Sequence, residues 1–255
     1  MKQPELGKKI SELRKSKGLT QEELVDKCNI NVRTIQRIEA GDVTPRRYTI
    51  NAILEALDYN FESIELIEST KHRQLFLKLA WIFGIVFFII GFFEFAADYN
   101  RFYTNEILFS KPVYIVIKLT VLISYLIFIY GFVIISDLFK NSILKITSYI
   151  LGFMLILAIG YDISSLFYKL ISPEIILPLE AISFGFIQII FGISLIKLQK
   201  SIGNISLVAG ITEIITGILL VTVIFAIAGL IVYIPAIIFE VIILYKAFEL
   251  TKKSI

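Results

Sequence analysis

Two hydrophobic patterns divide the chain. Up to about residue 57, apolar residues recur three and four apart among polar ones, as in helices buried on one side; from about residue 75 they run almost unbroken for stretches of twenty or more. In the first region, Leu6, Ile10 and Leu13 mark the inner face of a helix from Pro4 to Lys17, stopped by Gly18. Thr20, with Glu23 three residues on, forms a capping box that opens a second helix, Gln21 to Cys28. Asn31 is placed to cap a third, Val32 to Ala40, which Gly41 ends. After Pro45, a fourth helix from Tyr48 to Leu57 closes the core through Ile50, Ile53, Leu54 and Leu57.

In the second region, six apolar stretches are long enough to cross about 30 Å of hydrocarbon, which takes about 20 helical residues. They lie near 75–97, 112–136, 145–168, 175–197, 203–226 and 229–248. The last two nearly fuse, and the chain is expected to turn back near Ala228-Gly229. Pro112, Pro173 and Pro178 fall at expected span starts, where proline costs least. Glycines recur every seven residues at Gly84 and Gly91, at Gly185 and Gly192, and at Gly203, Gly210 and Gly217. Such spacing lines one helix face with small residues, for close packing within one bundle or against a second copy. The shared spacing Gly84/Gly91/Glu94 and Gly203/Gly210/Glu213 hints at a duplication. The expected architecture is all-α: a head (1–60), a linker helix (61–74) and a six-helix transmembrane bundle (75–250).

Charge follows the same division. Positions 1–73 hold 13 of the 25 Lys+Arg and 12 of the 22 Asp+Glu, while the chain as a whole is 56% hydrophobic, unlike a soluble globule. Within the head, residues 1–50 carry 11 basic and 7 acidic residues, and residues 51–70 carry five acidic and no basic ones. Phe61, Ile64 and Ile67 give the acidic stretch an apolar stripe. The lone Cys28 allows no internal disulfide, and residues 1–30 contain no apolar signal segment. Basic residues flanking the spans number ten on one side, with Lys71, Arg73, Lys140 and Lys197 among them, against Arg101, Lys111 and Lys169 on the other. By the positive-inside rule both termini are cytoplasmic, in a multi-pass protein of the cell inner membrane.

The stretch GLTQEELVDKCNINVRTIQRIEAGDVTP resembles the λ-repressor/Cro-like (XRE-type) helix-turn-helix family over about the first 60 residues. Asn29 stands where that family usually has glycine, and asparagine tolerates the left-handed backbone the turn requires. The resemblance implies a λ-repressor-like fold whose third helix lies in the major groove of double-stranded DNA. By position Val32, Arg33, Gln36 and Arg37 then face base edges: arginine suits guanine, glutamine suits adenine, and a valine methyl packs on thymine. Gln21, Thr34, Arg46 and Arg47 become phosphate contacts. Ile35 and Ile38 face the core, and Glu39 is expected to tie the helix to neighbouring positive charge. Members of this family bind paired half-sites, so a homodimer is expected.

Ionisable residues inside apolar spans are costly and are functional candidates. Glu94, Lys118, Asp162 and Glu180 lie by count in the outer third of the bundle, where one lysine can serve several carboxylates. Glu213 and Glu240 lie near the middle with no cation at their depth. They are expected to be protonated or hydrogen-bonded, to Thr212, to Thr216 or to each other, either as a sensor or as a structural link. The only histidine, His72, has no neighbours with metal-ligand spacing, and no nucleophile-plus-base set or phosphate loop is present, so neither a cofactor nor an enzyme is implied. The sequence thus points to a membrane-anchored, sequence-specific transcriptional regulator with the membrane domain as sensor or anchor. Two alternatives are a head used as a protein-interaction module, as in RodZ-like membrane adaptors, and a transporter or channel regulated by its head.

Overall fold

In the computed structural model the described residues are 3–59, 61–104, 108–168 and 171–252, without the side chains of 61–69. They form two compact units, Met1–His72 and Arg73–Ile255, and contain no strand.

The first unit is built from four short helices, α1 (Glu5–Ser16), α2 (Gln21–Cys28), α3 (Val32–Ala40) and α4 (Arg47–Ala56). The ends of α2 and α3 are set by residues within a turn of the boundary. Thr20 Oγ1 accepts from the Glu23 amide at 3.1 Å while the Thr20 amide donates to Glu23 Oε2 at 2.7 Å, a complete capping box. Asn29 takes the left-handed conformation (φ 53°) that ends α2, and Asn31 Oδ1 accepts from the Arg33 amide at 2.8 Å to start α3. Ile10, Leu24, Ile35, Ile38, Ile53, Leu54 and Leu57 are fully shielded at the centre. Removing one such side chain costs about 2–5 kcal/mol. Gly7 in α1 lies so close to the Ile38 carbonyl of α3 that a Cβ would collide with it. The Gln3 side chain closes the same edge, donating to the Ile38 and Val43 carbonyls at 3.1 and 2.6 Å.

The next helix, α5 (Phe61–Tyr99), runs into a π-helical turn at Asn100–Thr104. The expected stripe of Phe61, Ile64 and Ile67 lies outside the described side chains. The second unit continues with α6 (Lys111–Leu138), α7 (Ser142–Ser164), α8 (Pro173–Ile196), the single turn α9 (Gln199–Ile202), α10 (Asn204–Val221) and α11 (Ala226–Lys252). Among the described residues six helices are long and apolar enough to cross a membrane, the first over Thr70–Thr104.

Three expectations are corrected here. The chain turns back at Thr222–Phe225, with Val223 at φ 58°, and not at Ala228-Gly229. Gly229 continues α11 instead, where a Cβ would come within 3.2 Å of Leu219 Cβ on α10, so this glycine permits packing rather than turning. Pro178 lies in the second turn of α8 and not at its start, because α8 already begins at Pro173. Finally, the two glycine–glutamate repeats are not equivalent. Gly84 packs against Phe128 and Val241, Gly91 faces open space, and Gly203 (φ 99°) sits between α9 and α10.

The heptad glycines of α8 and α10 pack against each other within one chain. A Cβ on Gly185 would lie 2.6 Å from the Gly217 carbonyl, and one on Gly192 2.6 Å from that of Gly210. The two backbones therefore touch over two turns, with no side chain between them. Elsewhere Phe128, Phe132, Phe191, Leu195 and Leu244 are buried in the bundle core.

Candidate nucleic-acid interface

The third helix has two chemically distinct faces. Ile35 and Ile38 are completely buried, which turns Arg33, Gln36 and Arg37 outward, where all three are exposed. Val32 and Thr34 are half-buried at the start of the helix. Arg33 and Arg37 stand one turn apart on the exposed face. Nine residues give a rod about 13 Å long at 1.5 Å per residue, with Arg33 in its first turn and Arg37 about 6 Å further along.

Behind this face lies a buried ion pair. Arg14 of α1 grips Glu39 of α3 with two parallel hydrogen bonds, Nε to Oε1 at 2.7 Å and an outer nitrogen to Oε2 at 2.9 Å, and also donates to the Leu19 carbonyl at 2.7 Å. Gln21, at the start of α2, donates its side-chain N–H to Glu39 Oε2 at 2.8 Å. Burial pushes the Glu39 carboxyl up, but the Arg14 and Gln21 hydrogen bonds and the Arg14 charge outweigh it and hold the carboxyl below its usual range. One carboxylate thus ties together three helices and fixes how α3 is presented.

Glu39 therefore pairs with positive charge, as its position suggested. Gln21 is not a free side chain, since its amide nitrogen donates a hydrogen bond to Glu39. Arg14 was not foreseen as part of the site. Its signal is weak, because a basic residue on the inner side of an amphipathic helix looks like an ordinary helix-end charge until a buried partner is known.

Arg46 and Arg47 are both exposed and lie directly at the start of α4, which no side chain caps. Beside them Tyr48 is 70% exposed, an aromatic the sequence pattern had assigned only to a helix start. On the far side of the unit, Lys17 pairs with Asp58 at 2.5 Å and sits over the Tyr59 ring, so part of the acidic stretch is neutralised locally.

Residues 10–64 match the helix-turn-helix family model; no curated protein and no solved structure matches the chain. The head is thus a helix-turn-helix domain of the λ-repressor-like type, the class of fold in which a helix placed like α3 reads DNA. The match spans α2 and α3 together with the buried Arg14–Glu39 pair.

Two groups of ionisable side chains stand out among the described residues of the bundle. Glu213 of α10 and Glu240 of α11 are buried, 1% and 2% exposed, and hydrogen-bond to each other. The other candidate partners are not used: Thr212 donates to backbone carbonyls of its own helix, and Thr216 Oγ1 has no partner among the described residues. Oε1 of each carboxyl is likewise without one.

The second group centres on Lys118, itself 1% exposed. Its ammonium lies 2.9 Å from Glu94 Oε1, 2.6 Å from Asp98 Oδ2 and 2.6 Å from Asp162 Oδ2. Two of the three foreseen carboxylates thus converge on the lysine. Asp98, one turn after Glu94, is the third and was missed. Tyr114 donates to Asp98 Oδ1 at 2.7 Å, and Arg101 to the Asp162 carbonyl at 2.8 Å. Glu180 makes no hydrogen bond or ion pair among the described residues, although it faces the same cavity.

Proposed function

We propose that this protein is a membrane-anchored, sequence-specific DNA-binding regulator of transcription. The observation that carries the reading is the division of α3: two isoleucines lock it into the core, and the opposite face offers Arg33, Gln36 and Arg37 to a groove. Those side chains can form bidentate hydrogen bonds to guanine and adenine edges. In this reading Val32 packs on a thymine methyl, and Gln21, Thr34, Arg46 and Arg47 contact phosphates. The match of residues 10–64 to a helix-turn-helix family supports the same reading.

The working form is a homodimer, one head per half-site. Six apolar helices and the ten-to-three bias of flanking basic residues support a multi-pass inner-membrane protein with both termini in the cytoplasm. DNA then has to come to the membrane surface, and the bundle serves as sensor or anchor. Glu213 and Glu240 are candidates for a sensing element because they form a buried carboxyl pair with one unpartnered oxygen on each.

The test is selection of random duplexes by the full chain in lipid nanodiscs. A palindrome with half-sites about one helical turn apart is the expected product. Recovery of no sequence above background overturns the reading.

A further inference from the structure

A cavity of about 700 Å³ lies within the bundle between α5, α7, α8 and α11, with Lys118 of α6 at one wall. That volume is within the about 300–1,000 Å³ usual for small-molecule sites. Its walls are mostly aromatic and aliphatic, Phe88, Phe92, Phe95, Phe184 and Tyr233 among them. A Cβ on Gly91, which lines the cavity, would meet nothing within 4 Å, so the space beside it is empty of protein. Phe92, Phe95, Ile227 and Ile231 line it and are also exposed on the outer surface of the bundle, so the cavity is reached from the side.

The ionisable residues of the wall do not balance. Among the described residues that line the cavity, Glu94, Asp98, Asp162 and Glu180 are the carboxyls and Lys118 is the only cation. Lys118 is saturated by the first three carboxylates, at 2.6–2.9 Å. Glu180, on α8, has no ion-pair partner among the described residues and faces the same space. A carboxylate in an apolar setting without a cation is costly, and the cost falls if a positive charge is supplied. The aromatic walls add attraction of the same sign, since ring faces draw cations.

We propose that this cavity binds a lipophilic organic cation, with its charged centre against Glu180 and its apolar body among the aromatic side chains. The proposal rests on reading the bundle as membrane-spanning and is independent of what the head binds. A hydrophobic cation dissolved in the bilayer reaches the site laterally and meets there a carboxyl that has no ion-pair partner among the described residues. Glu180 is the residue that selects for charge, and the Lys118 cluster holds the α5, α6 and α7 wall in place.

The full chain in nanodiscs is titrated with radiolabelled tetraphenylphosphonium, and with tetraphenylborate as an anion of nearly the same shape. Saturable binding of the cation at one site per chain is expected, with none of the anion. Glu180→Gln should weaken binding at least about tenfold, and Glu174→Gln, an exposed carboxyl on the same helix, should leave it within twofold. Gly91→Leu, whose Cβ would meet nothing within 4 Å and whose side chain takes up space beside the cavity, should also weaken it, so the result does not depend on how well Glu180→Gln folds. Equal, non-saturable uptake of both ions, or unchanged binding in both variants, would overturn the proposal. Failure of the chain to enter nanodiscs would instead count against the membrane-spanning reading, on which the proposal stands.

Discussion

Each half of the molecule is organised around one buried cation, and the two are balanced differently. In the head, Arg14 meets a single carboxylate, Glu39, through a two-pronged contact that Gln21 completes, and the group is electrically closed. In the bundle, Lys118 meets three carboxylates, and Glu180 faces the same cavity with no ion-pair partner among the described residues. A closed pair fixes geometry: it holds α3 so that its exposed face is presented in one way. An unbalanced cluster leaves charge to be answered from outside. The contrast separates a structural ion pair from a binding site, although both are buried and both join several helices.

The largest effect is expected from Lys118→Met. Removing the ammonium takes from Glu94, Asp98 and Asp162 the cation they share, and breaking a buried pair in this way costs about 3–5 kcal/mol. The variant should lose its monodisperse peak in detergent or melt far below the parent chain. A variant as stable as the parent would show that the acids are neutral without the lysine.

Next comes Arg14→Ala, expected to destabilise the head by about 3 kcal/mol, because Glu39 is left buried without its partner. The same pair predicts a pH dependence. The Glu39 carboxyl is held below its ordinary value in the folded state, so its contribution is present above the unfolded value of 4.5 and is lost as the pH falls from there through the folded value. The melting temperatures of parent and Arg14→Ala should therefore draw together as the pH falls below 4.5 and lie furthest apart above it. Parallel curves across that range would remove Glu39 from the account.

The smallest effect is Thr20→Ala, which deletes one half of the capping box and should cost about 1 kcal/mol. Chemical denaturation followed by circular dichroism resolves a change of that size. A loss above about 3 kcal/mol would show that Thr20 does more than cap α2.

The two halves also differ in how far they could be read from the chain. Helix ends in the head were legible because their determinants are local: Thr20 with Glu23, Asn31 and Gly41 lie within a turn of the boundaries they set. The α3 face was legible for the same reason, since Ile35 and Ile38 fix which way Arg33 and Arg37 point. The existence of six apolar helices followed from length and hydropathy. Their pairing did not, because an apolar helix shows no preferred face to a reader counting periods. The glycine heptads marked a packing surface, yet whether α8 meets α10 or a second copy depends on contacts distant in sequence. The turn at Val223 was missed because glycine was expected where the backbone reverses. Asp98 was missed because it lies beyond the expected end of the first span, although its spacing from Glu94 places both on one face.

The central claim is that α3 reads DNA through Arg33 and Arg37. Its most direct test is a titration of the selected duplex with the full chain and with Arg33→Ala/Arg37→Ala, at several salt concentrations, by fluorescence anisotropy. Each well-placed side chain contributes about 1–3 kcal/mol of discrimination, so the double variant should lose at least about tenfold in affinity and most of its preference over random duplex. The parent should weaken steeply with salt, with a slope near −0.9 per neutralised phosphate. Unchanged affinity and preference in the double variant, with a flat salt dependence in the parent, would contradict the account.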